Sequence, residues 1–160
     1  METRNKQNAQ IACLQKNLSA IRKIAGWTSE QLGERIGVTK QTISNLENAK
    51  TSMTLTQYIA IRSIIDFEIQ TNKENTVLPQ VVDILLNREE EYTDEEREKI
   101  SESVRTIAAT ASGGIGGPAL AAVSAGLFGG ILGTPLLAIG GIVAGSTWLA
   151  KILKEKDKNK

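Results

Sequence analysis

Three times the chain spells the same four-residue helix start: Thr28-Ser-Glu-Gln31, Thr54-Leu-Thr-Gln57 and Thr93-Asp-Glu-Glu96. In each, the threonine hydroxyl can accept from an orphan backbone N–H. The Gln or Glu three residues on can reach back to the threonine's own N–H. Glycine supplies the stops: Gly26 and Gly37 follow apolar runs of helical spacing, and glycine readily takes the left-handed turn that closes a helix. Punctuation of this kind predicts an all-α chain of short helices.

The apolar residues agree. Leu14, Leu18, Ile21 and Ile24 or Ala25 recur every three or four positions and predict a first helix ending at Gly26. A second short helix runs from Thr28 to Ile36. Val38-Thr39 then opens a third, Lys40 to Asn48, with Ile43 and Leu46 as its apolar residues. A fourth follows Thr54 and carries Leu55, Tyr58, Ile59, Ile61, Ile64 and Ile65. Two short helices joined by a Gly-Val-Thr turn are the geometry of a helix-turn-helix.

The residues of that turn are more specific than its geometry. The stretch from Trp27 to Lys50, WTSEQLGERIGVTKQTISNLENAK, resembles the phage repressor/Cro family, also called the xenobiotic-response-element family. The likeness covers residues 10–69 and includes both the turn and the Ile-Ser-Asn-Leu-Glu-Asn sequence after it. It implies a five-helix repressor-like head whose third helix enters the major groove of double-stranded DNA. The matching base-contact positions are Lys40, Gln41, Ser44 and Asn45. Gln and Asn can pair bidentately with adenine, Lys can donate to guanine, and Ser can serve either. Their spacing puts them on one helix face, opposite Ile43 and Leu46.

The resemblance also implies phosphate contacts at Thr28, Ser29, Thr39 and Lys50, the first two at a helix N-terminus. Arg22 and Glu47 match a structural ion pair that holds the third helix against the first. Two departures stand out. Ser29 replaces a usual Gln, which shortens or removes one phosphate contact, and Ala49 replaces a common Gly, which puts the usual left-handed turn in doubt. Trp27 and Tyr58 are read as core residues.

Composition excludes much else. There is no histidine, and Cys13 stands alone, so imidazole-based catalysis, His-containing zinc sites and an intramolecular disulfide are ruled out. Cys13 is read as a small apolar residue. No nucleophile–base pair or phosphate-binding loop appears: Gly113-Gly114 and Gly116-Gly117 lack the following Lys-Ser/Thr of a P-loop. The expectation is therefore no enzyme, no catalytic residues, no metal, no cofactor and no small-molecule substrate.

The near-neutral balance of +1 hides four regions. Residues 1–50 hold 8 Lys/Arg against 4 Asp/Glu, and residues 51–105 hold 6 against 12. Residues 106–150 hold no charge, and residues 151–160 hold 5 against 2. The acidic middle, 70–112, is expected to be a helical linker that stays clear of DNA. Val81, Val82, Ile84, Leu85 and Leu86 form one short apolar helix there. Ile100, Val104, Ile107, Ala108 and Ala111 form a stripe on the next. That stripe either packs back on the head or joins two copies in a homodimer or higher homo-oligomer.

Between Gly113 and Leu153 two apolar blocks, Pro118 to Gly133 and Pro135 to Ala150, predict a glycine-rich helical hairpin followed by a basic tail, 154–160. Small residues recur every fourth position, with Gly126, Gly129, Gly130, Gly133, Gly141 and Gly145 as the packing positions, a pattern that lets helices approach closely in a bilayer. Spanning needs about 20 apolar residues per helix, so these blocks are borderline. Lys-rich flanks and Trp148 beside Lys151 fit a hairpin anchored at the inner face of the cell membrane. The polar N-terminus, METRNKQNAQ, lacks the apolar stretch of a secretory signal and keeps the head cytoplasmic.

The whole is read as a DNA-binding transcriptional regulator, a repressor, tethered to or sensing the membrane. Two alternatives remain open: a soluble regulator whose hairpin drives oligomerisation, and a small membrane-active effector controlled by a DNA-binding head.

Overall fold

A computed structural model describes residues 2–132 and 147–158; among these every regular element is helical. The all-α expectation therefore holds. Helix α1, Glu2–Ile24, is followed by α2, Ser29–Ile36, α3, Lys40–Glu47, and α4, Leu55–Thr71. Next come α5, Val77–Val82, a π-helical stretch, Asp83–Asn87, and a 3-10 turn, Glu89–Glu91. Helices α6, Asp94–Ser112, α7, Gly117–Leu132, and α8, Thr147–Lys158, complete the order.

All three threonine starts form reciprocal caps. Thr28 accepts from Gln31 N, Thr54 from Gln57 N and Thr93 from Glu96 N, and each partner side chain returns the bond to the threonine N–H. The stops form as a matched set. Past α1, α2 and α3 the chain turns left-handed at Gly26 (φ 80°), Gly37 (φ 76°) and Ala49 (φ 54°). At each turn two N–H groups fold back onto the helix's last carbonyls: Trp27 to Arg22, Val38 to Gly33 and Lys50 to Asn45 make the outer bonds. Ala49 thus keeps the turn that glycine usually makes, at a steric cost of about 1 kcal/mol.

Helix α1 is longer than its apolar stripe. Its second half buries Leu14, Leu18, Ile21 and Ile24. Its polar first half continues the same rod, and α6 lies along it. Lys6 pairs with Glu90 at 3.2 Å and Lys16 with Glu98 at 3.3 Å, both exposed and worth little singly. The acidic middle therefore meets the basic first helix. The α6 stripe of Ile100, Val104, Ile107 and Ala108 is buried within this one chain, with α6 packed on α1.

The expected helix over Val81–Leu86 is instead the end of α5 running into the π-helical stretch. Val81, Val82, Ile84, Leu85 and Leu86 are all buried, because this segment is enclosed by α1, α6 and α7 rather than lying on a surface. Pro79 sits in its first turn, where no intrahelical N–H is needed.

The C-terminal expectations need correction. Helix α7 has Pro118 in its first turn and buries Leu120, Ser124 and Phe128, one residue every four, against the protein. A Cβ placed on Gly126, Gly129 or Gly130 would meet nothing within 4 Å among the described residues, so these glycines mark no close helix contact there. Gly133, Gly141 and Gly145, and most of the second apolar block, lie outside the described residues. No helix among the described residues is long and apolar enough to cross a membrane. Trp148 is no lipid anchor in this structure. It lies edge-on to Tyr58, 5.9 Å between ring centroids, and its Nε1 donates to Asp66 Oδ2.

Candidate nucleic-acid interface

Helices α2 and α3 pack together across the Gly37-Val38-Thr39 turn, and α3 is backed by α1. Gly33 makes the close approach possible: a Cβ there would come within 2.6 Å of the Val38 carbonyl oxygen. Ile43 (0% exposed) and Leu46 (1%) anchor the inner side of α3. The side carrying Lys40, Gln41, Ser44 and Asn45 is turned outward, with Lys40 and Gln41 exposed and Ser44 and Asn45 half-buried.

These four are not independent. Gln41 Nε2 donates to Asn45 Oδ1 at 2.9 Å, one turn along the helix. The bond leaves Gln41 Oε1 as an acceptor and the Asn45 amide as a donor, the complement of adenine's N6 donor and N7 acceptor. Ser44 is engaged from behind by Asn48, whose Nδ2 reaches Ser44 O at 2.9 Å and Ser44 Oγ at 3.3 Å.

The phosphate candidates divide into two kinds. Thr28 and Thr39 use their hydroxyls as helix caps, at 3.1 Å to Gln31 N and 3.2 Å to Thr42 N. Their contribution to an anion is then the oriented first turn rather than the hydroxyl itself. Ser29 is half-buried and Lys50 exposed. Lys50 sits directly after the left-handed Ala49, so the Ala49 turn sets where that ammonium points.

Arg22 and Glu47 hold α3 from behind. Arg22 Nε donates to Glu47 Oε1, Nη2 to Oε2 at 3.3 Å, and Nη1 to the Trp27 carbonyl at 2.7 Å. Both side chains are 11% exposed. The two-pronged geometry is one that lysine cannot supply.

Two residues that sequence reasoning passed over complete the mounting. Gln15 Nε2 donates to Leu46 O (3.0 Å) and Thr51 O (2.7 Å), while its Oε1 accepts from Met53 N (2.9 Å). One side chain thus fastens the end of α3 and the loop after it to α1. The signal in the sequence was a glutamine beside Leu14 and Leu18 on an otherwise apolar face. Arg35 stacks over the Trp27 ring at 4.9 Å, adding a fixed cation beside the motif.

Residues 18–70 match the family model described as helix-turn-helix. They form a helix-turn-helix domain of the repressor/Cro kind. The domain covers about a third of the chain, and α1 enters it already formed from upstream. No curated protein and no solved structure matches the chain. The chain thus carries the DNA-binding domain of a transcription regulator, and the helices after residue 70 are to be read from their own packing.

Proposed function

We propose that the chain is an operator-binding repressor of transcription. Lys40, Gln41, Ser44 and Asn45 read base edges in the major groove; Thr28, Ser29, Thr39 and Lys50 set the register on the phosphate backbone. The observation that carries this reading is the two-sidedness of α3, with Ile43 and Leu46 sealed in the core and the four polar residues on the outer side. Base contacts supply discrimination, and phosphate contacts supply salt-sensitive affinity.

The test is the double variant Gln41→Ala/Asn45→Ala. An operator is first selected from random duplexes with the full chain, and binding is then measured against competitor DNA. Specific affinity should fall at least a hundredfold, at about 1–3 kcal/mol per lost base contact, while weak binding that weakens with salt remains. Full specificity in the variant overturns the reading.

A homodimer or higher homo-oligomer on paired half-sites completes the proposal. The exposed, uncharged face of α7 (Ala122, Ala125, Gly126 and Gly130) supports self-association as the role of this region. Static light scattering of the full chain checks this, and a monomer at micromolar concentration counts against it.

A further inference from the structure

The cluster that seats α8 does no work in the DNA-binding reading. Arg62, on α4, is 2% exposed, yet among the described residues no carboxylate lies within ion-pair distance of it. Its guanidinium lies 4.9 Å from the centroid of the Trp148 ring, and one nitrogen, Nη2, donates to Asn87 Oδ1 at 2.9 Å. Arg62 Nε and the Tyr58 hydroxyl are buried with no hydrogen-bond partner among the described residues. A buried cation held by a ring face and one amide is poorly compensated, and it regains water once the ring lifts away.

The rest of the contact is equally slight. Helix α8 makes no extensive contact with any one helix. Trp148 and Ile152 point inward, and beside them a groove of about 480 Å³ stays open between α8, α1 and the π-helical stretch. Leu153 is 51% exposed. Successive 100° steps put Trp148, Ile152, Leu149 and Leu153 on one arc of α8, with Lys156 at the C-terminal end of that arc, and Lys151, Lys154 and Lys158 on the opposite one. The head covers only part of the apolar arc. The lysines are exposed and pair with no carboxylate among the described residues.

We propose that α8 is a releasable latch whose alternative partner is an anionic lipid surface. An apolar arc headed by a tryptophan, opposite a row of lysines, fits the headgroup boundary of such a surface, to which the lysines are drawn by charge. Trp148 serves both states: its ring covers Arg62 when α8 is docked and enters the lipid boundary when it is released, so the two exclude each other. The uncharged residues preceding α8 impose no charge penalty on its approach to lipid. The contact lies along the surface and needs no spanning helix.

The experiment uses the full chain with Trp27→Phe, which leaves Trp148 as the sole tryptophan, mixed with vesicles carrying bromine-labelled acyl chains. Circular dichroism first checks that this variant keeps the parent fold; if it does not, Trp27→Tyr takes its place. Phosphatidylglycerol vesicles should quench Trp148, and phosphatidylcholine vesicles should not. Adding Asp66→Ala, which removes the acceptor for Trp148 Nε1, should lower the lipid concentration at half-quenching about fivefold. Adding Lys151→Glu/Lys154→Glu should abolish quenching.

Absence of quenching on anionic vesicles, or equal quenching on both kinds, overturns the proposal. So does a concentration-dependent Trp148 shift without lipid, which would make a second copy of the chain the partner. Operator binding is measured separately, so its failure would sink the DNA-binding reading and leave this one standing.

Discussion

The helix-turn-helix segment and the uncharged C-terminal region solve the same problem, ending and joining helices, by opposite means. In residues 18–70 caps and ion pairs meet the main polar demands locally: threonine caps, left-handed stops and the Arg22–Glu47 pair. In α7 and α8 the polar atoms are few: Ser124 Oγ is buried with no partner among the described residues, and α8 leans through the Trp148 ring on Arg62 of the first region. The first region can hold a recognition surface in one geometry. The second is held by apolar contact and the few polar contacts of Trp148, and is free to exchange what it touches.

The sharpest way to break this contrast is at the ion pair. Glu47→Ala should destabilise the fold by about 3 kcal/mol, because Arg22 is left charged and largely enclosed. Chemical denaturation reads the loss, and a change below about 1 kcal/mol would mean the pair is as loosely held as the C-terminal cluster.

The opposite sign is expected on α7. Gly126→Ala with Gly130→Ala should stabilise the chain by about 1–2 kcal/mol, since alanine suits a helix interior and each site is open. Destabilisation, or loss of an oligomer, would show that another helix presses on these glycines.

A smaller gain is expected at Ala49. Its two sister turns use glycine, so Ala49→Gly should add about 0.5–1 kcal/mol of stability in thermal unfolding, with operator affinity unchanged or improved. No gain would mean that the turn carries no strain.

The least effect concerns Cys13, at the seam of α1 with the π-helical stretch, where its thiol faces the Leu85 carbonyl at 3.3 Å. Burial, aided by the charge of Glu89, raises its pKa from 9.0 to about 11. The folded state therefore favours the neutral thiol. The associated stability is fully present below pH 9 and is lost as pH rises towards 11. Alkylation by iodoacetamide at pH 8 should run about a hundredfold slower than in the denatured chain. Equal rates would show that this seam opens freely.

What was legible follows from the distance over which each signal acts. The caps, the stops and the two-sidedness of α3 lie within a few residues of their partners, so the motif residues spell them out. Gln15 showed only as a polar residue on an apolar face, and its partners lie 31 to 38 residues away. The polar first half of α1 showed no stripe, since its neighbours are the 3-10 turn, where Lys6 meets Glu90, and the groove beside α8 rather than an apolar face of its own. Trp148 was placed at a lipid boundary because an amphipathic ring wants one polar partner and one apolar side. The structure supplies both from Asp66 and Tyr58. The chemistry was read correctly and the partner was not, since nothing near residue 148 points to residue 66.

Helix α1 has a last consequence. It runs unbroken from Glu2 to Ile24, so the matched domain begins partway along a rigid strut whose earlier turns carry Leu14 and Gln15. The unit that recognises DNA and the unit that folds therefore have different borders. A fragment cut at residue 18 would keep Lys40, Gln41, Ser44 and Asn45 and lose the Gln15 brace behind their helix.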